Sequence, residues 1–120
     1  MSEVLTWFEI PSTDFDRAVG FYNKVLNTNL RTGEFMGVPH GFFTDDTGDS
    51  RGAVIHRGDS TPGANGPLIY IYLANEVSEV LARVGEAGGT IVQPETSLGP
   101  QGTMAVILDS EGNRVGLHRP

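Results

Sequence analysis

Cysteine is absent from this chain of 120 residues. Its absence removes disulfides, thiol nucleophiles and every cysteine-based zinc or iron–sulfur site. Lysine occurs once, at Lys24, and the net charge is −7. Binding DNA or RNA rests on clustered Lys and Arg that neutralise phosphates, and the arginines here are scattered, so no nucleic-acid partner is expected. Long apolar runs are missing as well. The strongest, Leu68 to Ala74, is far too short to cross a bilayer, and no membrane partner is expected. The start, Met1-Ser2-Glu3-Val4, has neither the basic residues nor the apolar stretch of a signal peptide, and no lipidation motif is visible. A cytoplasmic location is the expectation.

What is present describes a folded chain rich in turns: 38% hydrophobic residues together with 16 Gly and 7 Pro. Two helices are legible. The first is expected to begin at Thr13 as N-cap, with Asp14 and Asp16 in its first turn, where the helix dipole favours acids. Phe15, Val19, Tyr22 and Leu26 then recur at helical spacing, and Asn27 is a stop signal. The second is expected from near Asn75 to Gly88-Gly89, with Val77, Val80, Leu81 and Val84 on its apolar face. Short segments rich in aromatic and β-branched residues read as strands: Leu5 to Ile10, Leu30 to Glu34, Gly41 to Thr44, Ala53 to Arg57, Leu68 to Leu73, Thr90 to Gln93, Met104 to Leu108 and Arg114 to His118.

The two halves repeat. At an offset of 62 residues, Phe15 falls on Val77, Val19 on Leu81, Tyr22 on Val84, and His56-Arg57 on His118-Arg119; at 61, Pro39 falls on Pro100 and Gly41 on Gly102. The reading is therefore α+β, with two tandem β-α-β-β-β modules whose curved sheets surround a cleft. One domain spans residues 1–120, divided into module one (about 3–58), a turn-rich linker (about 58–66) and module two (about 67–120).

The segment Trp7-Phe8-Glu9-Ile10-Pro11-Ser12-Thr13-Asp14-Phe15-Asp16-Arg17-Ala18-Val19-Gly20-Phe21-Tyr22 resembles the opening strand and helix of vicinal-oxygen-chelate proteins, the superfamily of glyoxalases, bleomycin-resistance proteins and extradiol dioxygenases. Gly88-Gly89 and Asp109-Ser110-Glu111-Gly112-Asn113-Arg114-Val115-Gly116-Leu117-His118 resemble the closing hairpin of that superfamily. The resemblance covers nearly the whole chain. It implies the fold, a small-molecule ligand and pairing as a homodimer, but no single reaction.

Enzymes of the superfamily hold a divalent metal with side chains of the first and last strands of both halves. The matching positions here are Trp7 and Ile69, Gly116 and Val54. None offers a donor that a hard or borderline ion accepts, so no metal or other cofactor is expected at that place. Trp7, Ile69 and Gly116 remain as expected walls of the ligand site, Trp7 as a stacking platform or simple packing.

One step along the same strands lie Glu9, His56 and His118. This trio could act as acid and base groups or touch a ligand. It could also hold a displaced divalent metal, or merely be solvated. His40, between Pro39 and Gly41, reads as a polar loop residue, and Tyr70 and Tyr72 as packing beneath the second helix. Gly85 to Gly89 closes a helix and is no phosphate loop. Asp45 to Asp49 lacks EF-hand spacing and reads as a hairpin turn. Three functions follow. The first is a metal-free protein that sequesters a small organic ligand or acts on it by acid–base chemistry. The second is a metal-dependent glyoxalase-type lyase or isomerase with a relocated site, and the third a non-catalytic interaction subunit.

Overall fold

The computed structural model describes residues 4–120, so the expected start of module one at residue 3 lies outside the described residues. The elements follow in the order β1 (Phe8–Pro11), α1 (Phe15–Val25), β2 (Arg31–Phe35), β3 (Val38–Thr44), β4 (Ser50–Ile55), β5 (Tyr70–Tyr72), α2 (Val77–Val84), β6 (Thr90–Ser97), β7 (Thr103–Leu108) and β8 (Arg114–Arg119). Each half is thus β-α-β-β-β. Two mixed four-stranded sheets result, ordered β1-β4-β3-β2 and β5-β8-β7-β6, and they curve around a cleft. In each, the short first strand runs parallel to the last and forms one edge.

Asp14, not Thr13, caps α1: its side chain accepts from Arg17 N–H. Thr13 is diverted by a residue 98 positions away, donating its N–H and its Oγ1 hydrogen to Glu111 Oε1 at 2.9 and 3.0 Å. Asn27 lies just beyond the helix at φ 52°, the left-handed turn expected of a stop. α2 is shorter than its apolar pattern. It starts after Glu76 and gives way to turns at Gly85.

One core joins both modules. Ala18, Phe21, Tyr22 and Val25 of α1 pack with Val77, Val80 and Val84 of α2, and with Ala105, Ile107, Val115 and Leu117 of the second sheet. Burying a large apolar side chain contributes about 1.5–3 kcal/mol. Inside this core the Tyr22 hydroxyl donates to Asp109 Oδ2 at 2.7 Å. Burial and then the neighbouring Asp109 charge raise the Tyr22 pKa well above its usual value, so the phenol stays protonated and donating.

The strand registers correct several expectations. Ser12 N–H donates to Ile55 O in the first module and Leu73 N–H to His118 O in the second, so His118 corresponds to Ile55 rather than to His56, and Gly116 to Ala53. The offset is 61 in the first strands but 63 in the last. His40, the partner of Ile55, likewise matches Met104, the partner of His118. Pro100 falls in a short 3₁₀ turn and Gly102 directly after it. Loop lengths differ between the modules, so a single shift cannot align every strand. His40 is no loop residue: it sits in β3 at 3% exposure. Tyr70 and Tyr72 do not pack beneath α2. They are 47% and 71% exposed, while Ile71 packs against the core and Leu73 is buried in it.

Candidate functional site

Alternation along β1 sends Phe8 and Ile10 to one face and Trp7, Glu9 and Pro11 to the other. The register places Glu9 beside Ala53, and β3 puts Phe42 opposite Ala53 and His40 opposite Ile55. Glu9, His40 and Phe42 therefore share one face of the first sheet. Arg57, two residues beyond β4, reaches the same place.

Three groups converge on the Glu9 carboxylate. Arg57 Nη2 donates to Oε1 at 2.9 Å, and Trp7 Nε1 donates to Oε2 at 3.3 Å. His40 Nε2 stands 3.9 Å from Oε2, with the ring held by an Nδ1–H bond to Val38 O at 2.8 Å. Phe42 completes the cluster, stacking on His40 at 5.4 Å and meeting the Trp7 ring edge-on at 6.3 Å. With its Nδ1 hydrogen committed to Val38, a neutral His40 turns a lone pair toward a carboxylate that is also only an acceptor. A proton, or a donor carried by a ligand, is what would join them.

The sides of this carboxylate differ. Oε1 is committed to Arg57, whereas Oε2 has only a long bond from the indole. Glu9 also lines a cavity of about 260 Å³ with Ile69, Arg114, Asn113 and the linker residues Thr61, Gly63, Asn65 and Gly66. Two expected site residues, Glu9 and Ile69, are thus brought to one hollow, and Trp7 is tied to Glu9.

The two other histidines lie elsewhere. His56 Nδ1 donates to Ser12 O at 2.9 Å, and His118 Nε2 to Gln101 O at 2.7 Å. No ion pair or hydrogen bond links Glu9, His56 and His118 to one another, and among the described residues no three His, Asp or Glu side chains form a group suited to a metal ion. The residue that sequence reasoning missed is His40. Its signal was the alternation Val38–His40–Phe42, obscured by the adjacent Pro39 and Gly41.

The residues at the superfamily's metal positions do not fit a metal. The Trp7 indole nitrogen is a donor only and is used on Glu9. Val54 is buried and apolar. Ile69 has no donor atom, and Gly116 is covered by the Tyr70 ring, which occupies the space a side chain would need. Gly52 on β4 is covered by Phe8 in the same way.

Two mixed sheets built from a repeated β-α-β-β-β unit and curved around a cleft define a paired-module α+β fold. The chain belongs to the glyoxalase/bleomycin resistance protein/dioxygenase superfamily, whose sequence profile matches residues 4–117. Among solved structures it resembles a glyoxalase/bleomycin resistance protein from Albidiferax ferrireducens, at TM-score 0.70 and 14% identity over 97% of this chain and 98% of that one. It also resembles the trypanothione-dependent glyoxalase I of Leishmania major, at TM-score 0.69 and 18% identity over 98% and 87% of the two chains. A hypothetical protein of S. aureus matches at TM-score 0.66 and 20% identity over 100% and 99%. At these identities the likeness is one of fold. No curated relative matches the sequence.

Proposed function

We propose that this protein binds a small organic ligand at Glu9 without the superfamily's usual metal, and either sequesters that ligand or moves a proton on it. The observation that carries the reading is the unequal carboxylate. One oxygen is held by Arg57 and the other is left to a long indole bond at the wall of a cavity. A ligand N–H or O–H would complete Oε2 with a charge-assisted hydrogen bond. Trp7 would supply an apolar platform, and His40 a proton acceptor or donor next to the reacting group. Pairing as a homodimer in the cytoplasm, with no cofactor, completes the proposal. The outer edges of β2 and β6, the end strands of the two sheets, are where a second chain would pair.

A metal-dependent reading gains nothing from the structure, since the displaced trio has other partners. The test uses Trp7, the only tryptophan in the chain. Its emission reports directly on the Glu9 site, so a panel of small amines, alcohols and 2-oxoaldehyde adducts can be titrated against it. The expected result is a saturable change for at least one class, weakened about tenfold or more in Glu9→Gln. An emission that no class moves, or one that Glu9→Gln leaves intact, would overturn the proposal.

A further inference from the structure

On the other side of β1 lies a second and larger hollow, of about 380 Å³, which none of the residues of the Glu9 cluster lines. Its walls come from both modules. Phe8 and Tyr70 each lie beside a glycine on the neighbouring last strand. A Cβ at Gly52 or at Gly116 would overlap the ring it faces, so these glycines are what allow the two rings to lie against the sheets. Phe43 stands 5.6 Å from Phe8 and extends the wall, and Tyr72 adds a fourth ring that is mostly exposed.

The polar groups around these rings include the backbone of β5, two carboxylates and Arg51. Gly116 donates to Ile69 O, and Leu73 donates to His118 O. The odd-numbered residues of β5 therefore face β8, and the backbone groups of Tyr70 and Tyr72 point to the open edge that walls the hollow. Asp45 and Asp46 stand at the mouth, with Arg51 on the same side. Arg51 is itself engaged and offsets one of these charges, which leaves the mouth net negative. Asp45 is held ionised: the Thr47 hydroxyl, then the backbone N–H groups of Asp49 and Thr47, keep its carboxyl below the usual range against a smaller opposing effect of burial.

We propose that this hollow is a separate site for a hydrophobic organic cation, with an apolar body among the rings and an ammonium group at the acidic mouth. Three observations select that class. The volume is at the lower end of small-molecule sites. Aromatic faces attract cations through their quadrupole. The chain's charge of −7 favours cations at a distance. This site does not depend on the Glu9 reading, because Phe8 and Glu9 leave β1 on opposite faces.

The test is a calorimetric titration of the full chain with 2-phenylethylammonium and with its neutral counterpart, 2-phenylethanol. The ammonium is expected to bind at one saturable site in the hollow, about tenfold tighter than the alcohol. Tyr72→Ser should weaken it at least about threefold, and Asp46→Asn should remove most of the preference for the cation. In Glu9→Gln, which removes binding of the ammonium at the Glu9 carboxylate, a saturable component that Tyr72→Ser weakens should remain. Both Tyr72 and Asp46 are exposed, so these variants are expected to keep the fold, and matched circular dichroism spectra verify it. Absence of saturation at millimolar ammonium, equal affinity for the alcohol, or loss of binding in Glu9→Gln but not in Tyr72→Ser would each overturn the proposal. A dimer that binds no ammonium would overturn it too.

Discussion

Glu111, in the turn between β7 and β8 of the second module, grips Arg17 on the helix of the first: Nε lies 2.7 Å from Oε2 and Nη2 3.1 Å from Oε1. The same carboxylate accepts from Thr13 N–H, Thr13 Oγ1, Asp14 N–H and Ser110 Oγ. It therefore caps α1 from across the molecule and locks the two modules together.

The acid dependence follows from that grip. Burial alone would raise the Glu111 pKa, but the hydrogen bonds from Arg17, Asp14 N–H, Ser110 and Thr13 together outweigh it and bring the group down to about 2. A depressed carboxyl contributes stability above its unfolded pKa and loses it as the pH falls through the folded value. The stabilisation is thus complete above about pH 4.5 and fades toward pH 2. In urea unfolding at pH 7, Glu111→Gln is expected to cost roughly 1–3 kcal/mol. The gap should narrow as the pH is lowered from about 5 toward 2, and a gap that is constant with pH would contradict this account.

Tyr22→Phe tests the buried hydroxyl. Asp109 Oδ2 would keep the bond from Asn113 Nδ2 at 3.0 Å but lose the one from Tyr22. Removing one partner of a buried charged group costs about 1–3 kcal/mol, several degrees in melting temperature for a domain of this size. Calorimetry of the two proteins measures it, and an unchanged melt would contradict this account.

Metal removal distinguishes the two catalytic readings. Wild-type protein is expected to purify without a stoichiometric divalent ion, and a chelator should leave its melt unchanged. A tight ion at a hundredfold excess over its dissociation constant would add about 2.7 kcal/mol, so the assay is sensitive enough. Trp7→His combined with Gly116→Glu should not create a site. Ile69 and Val54 remain apolar, and the introduced carboxylate side chain at position 116 would collide with the Tyr70 ring. A chelator-sensitive melt that His56→Ala with His118→Ala suppresses would support the displaced trio.

Assembly is measured by light scattering. A particle of twice the 12.9 kDa chain mass at micromolar concentration is expected, because the outer edges of β2 and β6 each offer backbone to another strand. A monomer at that concentration would remove the homodimer from the proposal.

The sequence by itself determined the module plan. Helical spacing of Phe15, Val19 and Tyr22, the repeat of that stripe at Val77, Leu81 and Val84, and turn chemistry at Asp109 to Asn113 are local properties that survive without knowledge of neighbours. It also showed that side chains able to ligate a metal are missing from positions 7, 54, 69 and 116, because that question concerns residue type alone. Tertiary structure decided everything that depends on register. A two-residue difference in loop length between the modules matches His118 with Ile55 instead of His56, and no periodicity reveals such a shift. His40 reads as loop because Pro39 and Gly41 flank it, yet pairing with Ile55 buries it beside Glu9. Thr13 looks like the cap of α1 until Glu111, 98 residues away, takes its hydrogen-bonding groups. Spacing along a chain specifies which face a side chain takes within one element; which neighbour it meets there depends on loop lengths and pairing between distant strands, and only the folded molecule settles those.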